Sequence, residues 1–313
     1  MPIEGQRIAV IGGGSLGLYV GGMLALAGHQ VDIGGRKATE LPHHVTAEGD
    51  DVWHAAARFT TVDALRGPYD QVVVAVKSYD LEPLLPRLAD LGGTGAQCVF
   101  LQNGVPWWWA HVHAGGAVAD VAGAIPLLQR TVAVVVHHAV ERIAPGRIRV
   151  RRASGERYLC GRPLGGRDAR LDELVKVWQA AGIPAEGVAD IGAEMWGKLM
   201  GNATLNPLSA ITGATIGELA ERRETREVLL AGMEEVARIA VAEGHPPTST
   251  PLERVARAAL VGAVRTSMLQ DRIEGRRLET EALLAAPIAL AQTHGISVPV
   301  LRTLLAGLCF VPH

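Results

Sequence analysis

Residues Arg7 to Gly17 read RIAVIGGGSLG, a short apolar run that ends abruptly in glycines. The following LYVGGMLALAGH is helical material that stops near Gly28, and HQVDIGGR supplies a second apolar run. Strand, turn, helix and strand in that order put Gly12, Gly14 and Gly17 at the three positions of GxGxxG. The first glycine permits the tight turn, the second lets backbone approach a pyrophosphate, and the third lets the helix pack close to the strand. The helix start, with Ser15 and Leu16, then offers unpaired N–H groups to phosphate oxygens. In a chain with 37 glycines the bare pattern is weak. The elements around it make it specific, and they predict a Rossmann-like dinucleotide-binding domain.

The end of the second strand selects the nucleotide. A carboxylate there would hold a ribose diol, but Asp32 comes too early, inside the strand, and the stretch closes Gly34-Gly35-Arg36-Lys37. Cations suit a 2'-phosphate that a carboxylate would repel, so the expected cofactor is NADP, as NADPH. Two further buried strands follow, within QVVVAVKSYD and over Cys98 to Leu101, with Lys77 and Asn103 beyond their carboxyl ends. Open parallel sheets bind ligands at that edge, which makes both residues candidate cofactor contacts, although either could simply cap a turn. Trp107, Trp108 and Trp109 cannot all share one face, so at least one is expected against a ligand, a partner or the other half of the chain. Strands return from Thr131 to Val150, RYLCGRPLGG reads as a closing strand and turn, and LDELVKVWQAAG as a helix. The first domain is expected over residues 1–183, with IPAEGVAD leading out of it.

Bulk properties exclude several classes. A chain of 313 residues, 48% hydrophobic, buries a large core, and its length favours two domains. A formal charge of −2 gives no global reason to expect nucleic acid or an anionic membrane as partner. Cys98, Cys160 and Cys309 form no CxxC pair, and His137 and His138 have no further ligand at metal spacing. A reducing compartment without a metal cage is expected. No secretory leader and no apolar run long enough to span a bilayer is recognisable, so the expectation is a soluble cytoplasmic protein.

After Ile191 the sheet signal disappears and residues 184–313 read as an all-helical domain, making the chain α/β with a helical C-terminal half. One helix runs through WGKLMGNATLNPLS, where Lys198, Asn202 and Asn206 stand at i, i+4 and i+8 along one stripe. A second is expected over GELAERRETREVLLAGMEEVARIAVAEG. Thr250, Pro251 and Glu253 then form a helix start with a capping box. The cleft between the halves is the default site. Taken singly, Lys198 could snorkel to solvent and Asn206 could cap a turn before Pro207.

Over essentially its whole length the chain resembles the ketopantoate reductase family, the 2-dehydropantoate 2-reductases. The resemblance rests on GxGxxG at Gly12–Gly17, Arg36, Lys77, LQNG at Leu101–Gly104, KxxxNxxxNP from Lys198 to Pro207, and SMLQDxxxGR from Ser267 to Arg276 followed by Glu279. It implies NADPH-dependent reduction of 2-dehydropantoate to pantoate in pantothenate biosynthesis, with a small-molecule 2-keto acid as the partner and a homodimer as a possible assembly. It further implies Lys198 as the catalytic lysine, Glu279 as the acid that orients it or binds substrate, and Asn202, Asn206 and Ser267 as pocket residues. Asn103 matches the asparagine at the junction of substrate and cofactor. Hydride addition to a keto carbon puts negative charge on oxygen, and a lysine can both stabilise that charge and protonate it. Three features depart from the family pattern: Ile216 stands where another asparagine is frequent, Leu278 where a threonine commonly precedes the acid, and the tryptophan run would reshape the entrance. An NADP-dependent reductase or dehydrogenase of another small 2-keto or 2-hydroxy acid, and a non-catalytic NADP-binding sensor or scaffold, are the alternative readings.

Overall fold

A computed structural model of the chain describes residues 5–36, 42–93, 95–113, 124–152 and 155–311. The chain divides into two compact units, Met1–Gln102 with Ala110–Ile191, and Asn103–Trp109 with Gly192–His313.

Among the described residues the first unit carries twelve strands: β1 Arg7–Ile11, β2 Gln30–Gly35, β3 His44–Gly49, β4 Trp53–Ala56, β5 Arg58–Thr61, β6 Gln71–Val74, β7 Gln97–Phe100, β8 Thr131–His137, β9 Ala139–Ala144, β10 Arg147–Arg151, β11 Arg157–Gly161 and β12 Ala185–Gly187. Its helices are α1 Ser15–Leu26, α2 Leu85–Leu91, α4 Ala124–Arg130 and α5 Ala169–Ala180; α3 is the short Trp109–His113. Eight strands form one sheet in the order β12-β11-β8-β7-β6-β1-β2-β5. From β5 to β8 all neighbours are parallel. That is the strand order of a doubly wound dinucleotide fold, with the reversal beside β1. β6 and β7 are buried along their whole length, the continuous apolar run that a sheet covered on both faces demands.

β11 runs antiparallel to β8, and β12 pairs with β11 at the sheet edge. Part of the stretch IPAEGVAD, expected to lead out of the first domain, therefore still belongs to its sheet. A second sheet, β4-β3-β10-β9, draws two of the strands read between Thr131 and Val150 away from the first. Helix α1 accommodates both sheets through its glycine pair. A Cβ on Gly21 would crowd Ile33 and Val10, while one on Gly22 would collide with the Trp53 ring and Val45. Tyr19 of α1 stacks on Tyr158 and meets the edge of His138, whose ring belongs to this aromatic cluster.

Among the described residues the second unit is helical: α6 Ile191–Thr212, α7 Ile216–Glu221, α8 Arg223–Ala242, α9 Pro251–Val261, α10 Ser267–Ile273, α11 Ala286–Thr293 and α12 Pro299–Leu308. A π-helical turn, Glu281–Ala285, leads into α11. The single helix expected from Gly217 to Gly244 is broken at Arg222, whose extended backbone (φ −72°, ψ 127°) separates α7 from α8. The Thr225 hydroxyl donates to the Leu219 carbonyl at 2.6 Å and the Arg222 carbonyl at 3.1 Å, bracing the break. Thr250 and Glu253 close the expected capping box. Glu235 on α8 is buried and accepts the N–H groups of Val300 and Leu301 at 2.9 Å each, so one helix caps the start of another. None of the described helices is long and apolar enough to cross a membrane.

The tryptophan run packs in this second unit. Trp108 and Trp109 are buried. The Trp109 indole N–H donates to Glu243 Oε2 at 2.6 Å, and its ring meets Trp196 and His245 edge-on at 5.5 and 5.2 Å. Trp107 is half-buried.

Candidate active site

The turn between β1 and α1 separates two kinds of glycine. Gly12 has φ +113°, and a Cβ there would sit 2.8 Å from the Ala75 carbonyl. A Cβ on Gly17 would drive into the Gly12 carbonyl oxygen. The chain itself requires both glycines. Gly14 is different: its backbone is ordinary (φ −81°), and a Cβ would meet only the Ala75 oxygen, at 3.9 Å. A Cβ on the neighbouring Gly13 would meet nothing within 4 Å. The protein leaves open the space that a side chain at Gly14 would fill. No side chain caps α1, and no acid lies in its first turn. Such a cradle suits a pyrophosphate, with the N–H groups of Ser15, Leu16 and Gly17 at the positive end of the helix. The Ser15 hydroxyl oxygen accepts the Arg142 N–H of β9 at 3.0 Å.

Arg36 and Lys77 follow the carboxyl ends of β2 and β6, the strands on either side of β1. Arg36 is exposed and 3.5 Å from Asp80, a surface pair of small energetic weight. Lys37 lies outside the described residues. Lys77 is half-buried and introduces the turn Ser78–Asp80. Asp32 is committed elsewhere: both its oxygens take Arg58 at 2.6 Å, and one also takes the Tyr69 hydroxyl at 2.7 Å. Burial pushes its carboxyl upward, but these donors outweigh that and hold it below the usual aspartate range.

In the second unit α6 presents the polar stripe. Lys198, half-buried, donates to Asn103 Oδ1 at 2.6 Å across 95 residues of sequence. Gly104 explains how Asn103 arrives there. Its φ is +87°, a Cβ would strike the Ala282 backbone, and Val105 N–H donates to the Ala282 carbonyl at 2.9 Å. The LQNG turn is thereby fastened to the π-helical turn just beyond Glu279. Glu279 is buried at 7% exposure. Asn206 is buried to the same degree and Asn202 is half-buried. Because α6 continues through Pro207 to Thr212, Asn206 is an interior helical residue and caps no turn.

Ser267 stands exposed at the first position of α10, where Thr266 does the capping. The rest of SMLQDxxxGR is architectural: buried Asp271 takes Arg276 Nε at 2.8 Å around the left-handed Gly275 (φ +63°), turning the chain toward Leu278 and Glu279. Leu278 is buried, and Ile216 is half-buried at the start of α7.

The lysine's environment sets its chemistry. Burial, first of all, and the Arg254 guanidinium lower its pKa and Glu279 opposes them, the balance falling from 10.5 to about 8. A group poised near neutrality can give up a proton during turnover, and its charged form stabilises developing negative charge. Arg254, in the first turn of α9, was not legible as a site residue. It follows the capping box in sequence, but no local pattern marks it as a neighbour of Lys198.

Residues 8–160 match the family model "Ketopantoate reductase PanE/ApbA", and residues 190–309 match "Ketopantoate reductase PanE/ApbA C terminal". The chain is 33% identical over 319 residues to the 2-dehydropantoate 2-reductase of Mesorhizobium japonicum, covering 96% of each. It is 32% identical over 310 residues to that of Halobacterium salinarum, again covering 96% of each. The crystal structure of 2-dehydropantoate 2-reductase from Geobacter metallireducens superposes with a TM-score of 0.83 at 26% identity, covering 96% of this chain and 98% of that one. D-Mandelate dehydrogenase in its ternary structure with NADH shares the fold at a TM-score of 0.83 and 18% identity, covering 97% of each chain.

Proposed function

Because this chain belongs to the ketopantoate reductase family, we propose that it reduces 2-dehydropantoate to pantoate, with NADPH as cofactor and Lys198 as general acid. The observation that carries the reading is the group on α6 and its neighbours: a lysine with a pKa lowered to about 8, bonded to Asn103 and electrostatically coupled to buried Glu279. When bound, NADPH supplies the hydride to the keto carbon. Gly12, Gly14, Ser15, Leu16 and Gly17 would hold its pyrophosphate, Arg36 the 2'-phosphate, and Lys77 and Asn103 the parts nearer the nicotinamide. As the carbon is reduced, its C=O π pair moves onto oxygen. Lys198 stabilises that alkoxide and transfers its Nζ proton to it, leaving a neutral amine and a hydroxyl. Asn103 orients the ammonium through its Oδ1. Glu279 supports the lysine's charge and accepts the substrate's own hydroxyl, while Asn202, Asn206 and Ser267 bind its remaining polar groups.

A related reading, reduction of a different small 2-keto acid, draws on Ile216, an apolar side chain where the family pattern often has an amide. One substrate panel separates the two. A site built to hydrogen-bond a hydroxyl rejects an analogue lacking it by up to about 10⁴-fold, because its buried polar groups are left unpaired. With NADPH oxidation as readout, ketopantoate should exceed 2-ketoisovalerate in kcat/KM by at least about tenfold. Equal rates would transfer the assignment to the second reading.

A further inference from the structure

The proposed reduction leaves unused the second cation beside Lys198. Arg254 is half-buried in the first turn of α9. A cation there opposes the helix dipole, a placement that local helix energetics do not reward. Its guanidinium lies against the α6 backbone at Gly201. A Cβ on that glycine would come within 2.8 Å of Nη2, 3.7 Å of Cζ and 3.8 Å of Nε, and these three Arg254 atoms are its nearest neighbours. Gly201 is thus a notch in α6 occupied by one guanidinium.

The notch has a defined position relative to the polar stripe. On a helix turning about 100° per residue, Gly201 lies about 60° to one side of Lys198, while Asn202 and Asn206 lie about 40° and 80° to the other. Around α6 the order is therefore guanidinium, ammonium, amide, amide. A 2-keto acid with a hydroxyl further along its chain carries carboxylate, keto oxygen and hydroxyl in the same order.

The geometry points to Arg254, seated in the Gly201 notch, as the residue that holds the substrate's carboxylate while Lys198 faces the keto oxygen. This assignment rests on the 2-keto acid reading of the site and names the cation that reading requires. Glu279 already contributes one buried carboxylate. An arriving substrate brings a second, and hydride addition creates an alkoxide beside them. Lys198 alone cannot compensate all three, and it loses its charge on giving up the proton. Arg254 keeps its charge throughout, and its planar fork matches a carboxylate with two parallel N–H donors.

The test uses the full chain with Arg254→Gln and Gly201→Ala, measuring kcat/KM for ketopantoate and for its primary amide, with NADPH titrated separately. Gly201→Ala keeps the arginine but fills its notch, alanine favours the helix, and its Tm separates a lost contact from unfolding. The expected result is that each variant loses at least about tenfold of the acid-over-amide preference, through KM for the acid, with NADPH affinity unchanged. The assignment is overturned if acid and amide fall together, if neither changes, or if the unaltered enzyme shows no preference for the acid. An unaltered enzyme that reduces no 2-keto acid would instead refute the underlying reading.

Discussion

Lys198 combines two demands that pull its pKa in opposite directions. In the proposed role it must be charged to stabilise an alkoxide, yet acidic enough to release a proton, and burial and Arg254, opposed by Glu279, set the compromise at about 8. Removing it as Lys198→Ala takes away both the charge and the proton. Loss of a general acid costs about 10²–10⁴-fold, so kcat should fall at least about a hundredfold. NADPH affinity, measured by fluorescence titration of the folded variant, should stay close to the original. Near-normal hydride transfer in stopped flow would remove the lysine from the mechanism. The pH profile offers a second check. The acid form is present below about pH 8 and is lost above it, so kcat/KM for reduction should decline as pH rises through that value. Glu279 raises the lysine's pKa, so Glu279→Gln should move the declining limb to lower pH. Arg254 lowers it, so Arg254→Gln should move the limb to higher pH. Shifts in the same direction would mean that the two residues do not act on Lys198 as charges.

At the scale of elements, the β1–α1 turn divides into positions the fold needs and one that it leaves open. Gly17→Ala forces a Cβ into the Gly12 carbonyl, between two backbones that cannot both retreat. It should cost several kcal/mol, at the upper end of single-substitution effects, and be read as a large fall in Tm. Gly14→Ala meets only the Ala75 oxygen, at 3.9 Å, and has an ordinary backbone angle. Its Tm should hold within about 2 °C, consistent with the near-neutral effect of unobstructed sites. Cofactor affinity should nevertheless drop, because the methyl occupies the cradle. A Gly14→Ala variant binding NADPH normally would show that the turn does not hold the pyrophosphate. The end of β2 bears on nucleotide choice: Asp32 is held by Arg58 and Tyr69, leaving Arg36 as the charged side chain described beyond the strand. Arg36→Asp should raise KM for NADPH far more than for NADH. Equal affinities for both cofactors in the unaltered protein would contradict the NADPH assignment.

Across the whole molecule, residues far apart in sequence determine where Asn103 is held. Glu243, at the end of α8, takes the Trp109 indole at 2.6 Å and His294 Nε2 at 2.6 Å, and its side chain is 6% exposed. The carboxylate therefore fixes the Asn103–Trp109 segment to the helical unit from 134 residues away. Glu243→Ala would strand a buried indole N–H as well as remove two hydrogen bonds, a loss on the order of 2–4 kcal/mol. Tm should fall accordingly. Because Asn103 sits on the same segment, KM for the keto acid should rise as well, while NADPH affinity changes less. A drop in Tm with unaltered KM would show that Asn103 is positioned by Gly104 and Ala282 alone.

The sequence by itself determined what depends on local pattern. GxGxxG between a strand and a helix specified the dinucleotide fold, the capping box at Thr250 marked a helix start, and the i, i+4, i+8 spacing aligned Lys198 with Asn202 and Asn206. Each of these signals is contained within one element or one turn, where backbone geometry fixes the relation between neighbours. Tertiary structure decided the rest. It took β9 and β10 from the stretch Thr131–Val150 into a second sheet on α1, and it made IPAEGVAD the sheet's edge. It turned Trp108 and Trp109 into core and placed Arg254 in the Gly201 notch beside the lysine–asparagine stripe. Those outcomes depend on which distant surface a side chain meets, through shape and charge rather than spacing. A glycine that makes room for a guanidinium 53 positions later looks, in one dimension, like any other glycine in a helix.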